Sequence, residues 1–219
     1  MMKRNNFPFS AVLGLNHAKT AILIVLVNPR AGGLLISGPR GIGKSTLMRS
    51  TQELIERPWR DIPVSVTEDR LFGTIDTEKA IYSGQKKLYP GIINEADQGV
   101  LYLDDANLLR EDLLDFILNI AEVGAYQLER DGLSLRCDTS FTVIAAINPE
   151  SGMLSGACLD QFGLFVNVDN IHDENTRVEI LKRTISFEKD CASFCKLWKL
   201  ENEKIKKAIH SAMSLLPKV

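Results

Sequence analysis

A glycine-rich stretch in the first quarter of the chain has the residues needed to hold phosphate groups. Residues 38–45 read GPRGIGKS, which matches the pattern G-x-x-x-x-G-K-[ST] at every fixed position. The glycines let the backbone curl so that successive N–H groups point into one concavity at a helix N-terminus, which favours phosphate. Lys44 would place a positive charge on the β- and γ-phosphates of a nucleotide, and the Ser45 hydroxyl would bind Mg²⁺.

The predicted nucleotide contacts extend one residue beyond this motif. They are Gly38, Pro39, Arg40, Gly41, Ile42, Gly43, Lys44, Ser45 and Thr46. The competing interpretation is a glycine-rich turn between a strand and a helix, with an incidental lysine. The context favours phosphate binding, because the apolar run 34–37 precedes the motif and a helical pattern follows it. We therefore predict ATP and Mg²⁺ as the cofactors.

Two carboxylates end an apolar run in the middle of the chain. Residues 100–103 are Val-Leu-Tyr-Leu, and Asp104 and Asp105 follow them. An enzyme with this kind of phosphate loop needs an acid at the end of a neighbouring strand to hold Mg²⁺, and Asp104 fits that role. Asp105 stands where such enzymes usually orient or deprotonate the attacking water. Because acids also favour strand-end turns, this assignment depends on the phosphate loop.

A third polar side chain at a strand end is Asn148, which follows the apolar run 141–147. It could face the γ-phosphate and the attacking water. Equally, Asn148 and Pro149 could simply open a turn, and both interpretations remain open. The predicted catalytic residues are thus Lys44, Asp105 and Asn148, and the predicted metal ligands are Ser45 and Asp104.

The elements that must position these residues alternate between strands and helices. This pattern predicts an α/β fold with a parallel sheet covered by helices on both faces. Strands are expected at residues 34–37, 63–66, 99–104, 141–147 and 165–168, and helices at 16–28, 44–56 and 111–123. Asp131-Gly132 predicts a hairpin turn. The pattern is helical from Asp173 to near Leu216, so we expect a nucleotide-binding core at 1–170 and the start of a helical domain at 171–219.

Composition excludes several classes of function. The 219 residues carry a formal net charge of −2, so no basic field indicates binding to nucleic acid. The longest apolar run, residues 21–27, is far shorter than the ~20 residues of a membrane span. No signal peptide is expected, which predicts a cytoplasmic protein. The four cysteines form no CxxC pair and no zinc pattern, so they are expected to be reduced thiols.

The order of these pieces resembles an AAA+ ATPase, and several stretches resemble more narrowly the I subunit of magnesium chelatase. The most specific are EDRLFGTIDTEKA at 68–80 and PGIINEADQGVLYLDDAN at 90–107. Further similar stretches lie at 9–21, 32–46, 128–136, 148–150 and 159–163. Residues 187–219 resemble the start of that family's C-terminal helical lid.

The resemblance implies a P-loop NTPase with a three-layer αβα core, sheet order 5-1-4-3-2, and a hexameric ring with ATP between subunits. It also implies two partners, one with an integrin-like domain and one a large porphyrin-binding subunit. ATP hydrolysis would then drive Mg²⁺ insertion into protoporphyrin IX. Carried over by position, Lys44 and Ser45 bind phosphate and magnesium, Asp104 binds magnesium, and Asn148 is the sensor.

Three features depart from the family pattern. Asp105 replaces a glutamate, and its carboxylate is one methylene shorter. Gln161, in LDQFG at 159–163, replaces the arginine that the family extends to the neighbouring subunit's ATP, a group worth about 10³–10⁵ in rate. The sequence also ends inside the lid, before the second sensor arginine. An alternative function is therefore a degenerate nucleotide-binding protein with little hydrolysis, acting as an assembly or cofactor-loading chaperone.

Overall fold

The structure, a computed structural model, describes residues 6–75, 88–130 and 133–216. Within them the strands are β1 (Leu34–Ser37), β2 (Trp59–Ile62), β3 (Gly73–Ile75), β4 (Leu88–Pro90), β5 (Gly99–Leu103), β6 (Ala125–Arg130), β7 (Leu133–Asp138), β8 (Phe141–Ile147) and β9 (Leu164–Asn167). The α-helices are α1 (Asn16–Val27), α2 (Lys44–Thr51), α3 (Glu68–Phe72), α4 (Ile92–Glu95), α5 (Glu111–Val123), α6 (Gly156–Asp160), α7 (Glu174–Lys189) and α8 (Cys191–Leu215).

Five of these strands form one parallel sheet in the order β2-β5-β8-β1-β9. When its strands are numbered along the chain and read from the β9 edge, the order is 5-1-4-3-2, which confirms the predicted topology. The last residue of β1, Ser37, lies opposite Ile147 of β8 and Asn167 of β9. The carboxyl ends of β1, β5 and β8 consequently meet at one edge of the sheet, where the predicted site residues follow them.

The second strand differs from the sequence prediction. It was expected at 63–66, but β2 ends at Ile62 and pairs with residues 100–103 of β5. Pro63 has no N–H to give to a ladder. Instead its carbonyl accepts from the Val66 N–H at 3.0 Å, which closes a turn where the strand was expected.

Helix α2 is also shorter than the predicted 44–56. It ends at Thr51, and a 3₁₀ turn, Gln52–Leu54, continues it. The hydroxyls of Ser50 and Thr51 both donate to the Leu47 carbonyl, at 2.6 and 2.9 Å. Such side-chain bonds compete with the helical ladder and favour its termination there.

The antiparallel pairs lie outside the main sheet. β6 pairs with β7, as the predicted hairpin requires, but its predicted turn, Asp131-Gly132, lies outside the described residues. β3 pairs with β4 in a region for which no strand was predicted. That pair encloses residues 76–87, which also lie outside the described residues, so the stretch 68–80 is described only in part.

The core consists of two apolar clusters, one on each face of the sheet. Successive residues of a strand point to opposite faces, so Leu35 joins one cluster while Leu34 and Ile36 join the other. The first cluster packs against α5, whose apolar side chains recur at helical spacing. Gly124, at φ 78°, ends α5 where the sequence predicts it. The second cluster packs against α1 and α2.

Helix α8 packs on the core rather than standing apart from it. Ile209 is only 3% exposed and joins the second apolar cluster. The Asn202 side chain accepts from both the backbone N–H and the hydroxyl of Ser10, at 2.9 and 2.7 Å. Arg57 donates to the Leu26 carbonyl at 2.8 Å and contacts the Met213 sulfur. The division of the chain near residue 170 stays a prediction, and none of the described helices is long and apolar enough to cross a membrane.

The packing of α8 predicts a stability difference between two substitutions on the same helix. Ile209→Ala should lower the free energy of unfolding by about 2–5 kcal/mol, because it leaves a cavity in the second cluster. Leu197→Ala, at a side chain that is 75% exposed, should change it by no more than about 0.5 kcal/mol. Urea denaturation followed by circular dichroism measures both, and equal losses would contradict docking of α8 on the core.

Candidate functional site

The phosphate loop connects the carboxyl end of β1 to the first turn of α2. The Gly38 N–H donates to the Ile147 carbonyl at 3.2 Å, which fixes the start of the loop against β8. A Cβ atom at Gly38 would lie 2.4 Å from the Val168 carbonyl oxygen, so only glycine fits there. Gly41 and Gly43 have φ values of 81° and 94°, a region in which glycine is favoured. The loop therefore has the backbone freedom that the sequence pattern indicates.

Lys44 lies inside the concavity of this loop and is 7% exposed. Its ammonium group donates to the carbonyls of Gly38 and Pro39 at 2.5 and 2.8 Å. Burial lowers the pKa of Lys44, while the nearby carboxylates of Asp105 and Asp104 act in the opposite direction. A compact cation thus sits where the β- and γ-phosphates of a nucleotide would meet the loop.

Ser45 and Asp104 meet beside this lysine. The Ser45 hydroxyl donates to a carboxylate oxygen of Asp104 at 3.1 Å, so the first turn of α2 and the end of β5 converge. Hydroxyl and carboxylate oxygens are the ligands that Mg²⁺ prefers, and Mg²⁺ is usually held by one or two protein groups together with phosphates. No group of three or more metal-binding side chains occurs among the described residues. The donor set therefore fits Mg²⁺ that arrives with a nucleotide.

Asp105 begins the turn that follows β5. It has a left-handed backbone conformation, with φ 49° and ψ 48°, which aspartate tolerates better than most residues. Its carbonyl accepts from the Leu108 N–H at 2.8 Å. Its carboxylate is close enough to Lys44 to oppose the lowering of the Lys44 pKa by burial. The second predicted acid is therefore at the same edge of the sheet as the loop.

Asn148 follows β8 and is 2% exposed. Its side-chain oxygen accepts from the Glu150 N–H, and its amide nitrogen donates to the Ser151 hydroxyl, both at 3.2 Å. These bonds show that Asn148 opens a turn, which was one of its two interpretations. The Asn107 amide, reaching from the turn after β5, donates to the carbonyls of Asn148 and Gly152. Contact of Asn148 with a γ-phosphate stays a prediction.

A cavity of about 570 Å³ opens beside the loop. Three parts of the chain line it: the N-terminal segment at 7–13, the loop with Thr46, and the segment 170–188 that includes α7. The volume suits a nucleoside, because small-molecule sites are mostly apolar pockets of about 300–1,000 Å³. Sequence reasoning missed this pocket because its walls are far apart in the chain. Beyond the loop residues of the phosphate motif, the similar stretch at 9–21 was the signal that included part of its N-terminal wall.

Two arginines of α7 lie at this cavity. Arg177 lines the cavity and is exposed to solvent. Arg183 donates to the Ala11 carbonyl at 2.9 Å, pairs with Glu179 at 3.0 Å and lies 4.6 Å from the centre of the Trp198 ring. Arg183 therefore ties α7 and α8 to the N-terminal wall of the cavity.

Gln161 does not line this cavity. It caps the carboxyl end of α6, and its side-chain amide donates to the Ala157 carbonyl at 3.4 Å. Residue 161 thus contributes nothing to this cavity of its own chain.

Comparison with known proteins places the chain beside one group. Residues 33–161 match the model of the AAA domain (dynein-related subfamily). The chain is 35% identical to the magnesium-chelatase 38 kDa subunit of Rhodobacter capsulatus, over 97% of this chain and 70% of that protein. It is 33% identical to the magnesium-chelatase subunit ChlI homolog of Methanocaldococcus jannaschii, over 100% of this chain and 70% of that protein.

A solved structure gives the same result. It is the complex between subunits BchI and BchD of magnesium chelatase, and one of its chains matches with a TM-score of 0.71. The identity is 35%, and the match covers 98% of this chain and 77% of that chain.

Because Asn148 makes these hydrogen bonds within the protein, its replacement should reduce folding stability even when no ligand is bound. Asn148→Ala should lower the free energy of unfolding of the ligand-free protein by about 0.5–1.5 kcal/mol, because the part-buried Glu150 N–H loses its acceptor. Ser151→Ala removes only the partner of the amide nitrogen and should cost less. Urea denaturation compares the two, and an unchanged stability in Asn148→Ala would show that the turn does not need this side chain.

Proposed function

The chain belongs to the AAA+ family of magnesium-chelatase ATPase subunits, and we propose that it couples ATP binding and hydrolysis to insertion of Mg²⁺ into a tetrapyrrole. The observation that carries this proposal is the convergence of Lys44, Ser45 and Asp104 at a phosphate loop beside a cavity of nucleoside size. Protoporphyrin IX is the proposed acceptor. No described residue is assigned to it, because we place that chemistry on a partner subunit.

We assign the nucleotide contacts to the loop and its flanks. The backbone of residues 38–43 and the first turn of α2, with Thr46, would surround the phosphates. Lys44 would exchange its two carbonyl partners for phosphate oxygens. Ser45 and Asp104 would hold Mg²⁺, which supplies positive charge to the phosphates when bound. The base would lie between the N-terminal segment and α7.

Hydrolysis needs a group that positions the attacking water, and Asp105 is the proposed one. Its carboxylate lies near Lys44 at the same sheet edge, which supports this role. The side chain is one methylene shorter than the glutamate of the family pattern, so its reach is reduced. Asn148, at the end of the adjacent strand, is the proposed sensor. To act as one, it would have to give up its bond to Ser151.

Assembly into a ring is the proposed context for this site. The matched solved structure is a complex of two chelatase subunits, which supports association with another chelatase subunit. A partner with an integrin-like domain and a porphyrin-binding subunit are the partners that we propose from the family resemblance. In a ring, residue 161 of one subunit would approach the ATP of the next. Gln161 can donate a hydrogen bond there but carries no charge, so we expect slow turnover. The alternative of a cofactor-loading chaperone is not favoured, since the relatives reported above carry chelatase names.

Nucleotide binding is tested by removing the cation of the loop. Lys44→Ala should weaken ATP binding by about 100-fold or more, because it removes a charge-assisted hydrogen bond worth about 1.5–3 kcal/mol together with the buried cation of the loop. Lys207→Ala, an exposed lysine of α8, is the control and should bind like the wild type. Isothermal titration calorimetry measures both affinities. Equal affinity in Lys44→Ala and wild type would overturn the proposed site.

Slow turnover is tested by restoring the two family side chains together. Gln161→Arg with Asp105→Glu should raise kcat with little change in ATP affinity, because the added contacts act mainly in the transition state. The wild type should turn over below about 1 s⁻¹, the low end of typical enzymes. Steady-state phosphate release measures both rates. The gain should increase with protein concentration, since position 161 acts on a neighbouring subunit.

Two results would contradict this reasoning. One is a wild type that already turns over at about 1 s⁻¹ or faster, and the other is a double variant that gains nothing. In either case another arginine supplies the charge. Arg177 is then the first to replace, because it lines the cavity, and Arg130 and Arg136 are the others.

A further inference from the structure

Tyr102 lies two residues before Asp104 on the strand that ends in the acidic pair. Tyr102 belongs to the apolar cluster on the side of α2, and Asp104 is hydrogen-bonded to Ser45 of that helix, so both side chains lie on the α2 side of the sheet. Its side chain is 1% exposed and packs against the ring of Trp59, with ring centres 5.8 Å apart. In the sequence pattern, Tyr102 counts only as one of the apolar residues of a buried strand.

Within the described part of the protein, the buried hydroxyl of Tyr102 has no hydrogen-bond partner of good geometry. Only one other side-chain atom in the described residues, Oδ1 of Asn107, shares this condition. A buried hydroxyl without a partner destabilises a fold, and phenylalanine would fill the same space without that cost. The presence of the hydroxyl therefore calls for a partner that is acquired in another state of the site.

Two groups of the proposed metal site, the Asp104 carboxylate and the Ser45 hydroxyl, lie close to this phenol. Burial is the main cause that raises the pKa of the Tyr102 phenol, and the Asp104 carboxylate is the next. The Ser45 hydroxyl also lies close enough to act on the phenol, in the opposite direction. Asp104 already accepts from Ser45 through one oxygen, and a carboxylate can accept several more hydrogen bonds. The phenol thus lies within a small side-chain movement of an acceptor with free capacity.

We propose that Tyr102 is a positioning residue for Asp104, donating its hydroxyl to the carboxylate when Asp104 and Ser45 turn to hold Mg²⁺. A hydrogen bond to an ionised carboxylate is strong in a buried setting, so it would fix the orientation of that group. The hydroxyl would gain its missing partner at the same time. This role rests on the proposed function, because it needs Mg²⁺ bound with a nucleotide.

The test is Tyr102→Phe, which removes one oxygen atom and keeps the ring. The Mg²⁺ concentration that half-saturates binding of a non-hydrolysable ATP analogue should rise about tenfold, the lower end of effects seen when a partner of a metal ligand is removed. Affinity for the analogue in EDTA should stay unchanged. The melting temperature of the nucleotide-free variant should equal or exceed that of the wild type. Fluorescence titration and differential scanning calorimetry supply these readouts.

Tyr126→Phe is the matched control. Its hydroxyl lies 2.7 Å from both the Phe72 carbonyl and the Asn94 side-chain oxygen, in a region away from the phosphate loop. Removing that satisfied hydroxyl should lower the melting temperature and leave the Mg²⁺ dependence unchanged. The two tyrosine substitutions should therefore have opposite effects.

The outcomes separate the two proposals. If the wild type binds the analogue with Mg²⁺ and Tyr102→Phe shows the same Mg²⁺ dependence, the role of Tyr102 is wrong and the proposed function stands. If Tyr102→Phe melts lower and loses analogue binding in EDTA as well, the hydroxyl is structural and the role is again wrong. If the wild type itself binds no analogue, the proposed function fails first.

Discussion

β1 is hydrogen-bonded on both sides, to β8 and to β9, with Ser37 opposite Ile147 and Asn167. That pairing determines where the next residues can go. The chain must leave the sheet between two neighbouring strands, and the Gly38 N–H bonds the Ile147 carbonyl as it does so. The space left for the loop is so narrow that a single Cβ at residue 38 would strike the Val168 carbonyl. Phosphate loop, acidic strand end and Asn148 are neighbours because parallel strands end together.

Local patterns predicted those parts of the fold that local forces determine. The range of α5 was predicted correctly, because an apolar face at helical spacing ends at a glycine in the left-handed conformation. β1 and β8 were found because runs buried on both faces leave a continuous apolar signal. β2 was misplaced, since the middle of Trp59–Ile62 is two exposed charged residues, while the apolar signal lies in the turn closed by Pro63.

In the candidate site, too, local sequence patterns predicted some features and missed others. Lys44, Ser45 and Asp104 could be found from their types and spacing, and the structure brings them together. The cavity beside the loop could not be found in this way, because its walls combine residues 7–13 with residues 170–188, and no short stretch of sequence contains both. The hydroxyl of Tyr102 was equally invisible, since its meaning depends on the lack of a partner in three dimensions. Sequence patterns indicate which groups are available, whereas burial shows which of them are unsatisfied.

Arg183 and Ser10 connect the N-terminal segment to the two C-terminal helices. Through Arg183, α7 is attached to the carbonyl of Ala11, and through Ser10 the same N-terminal segment is attached to Asn202 of α8. This segment is one wall of the cavity, so the wall cannot be released without loosening both helices. Opening of the cavity and detachment of the helices therefore form one cooperative event, with a shared free energy. By linkage, we expect a molecule that fills the cavity to slow hydrogen exchange at amides of α8 that it never touches.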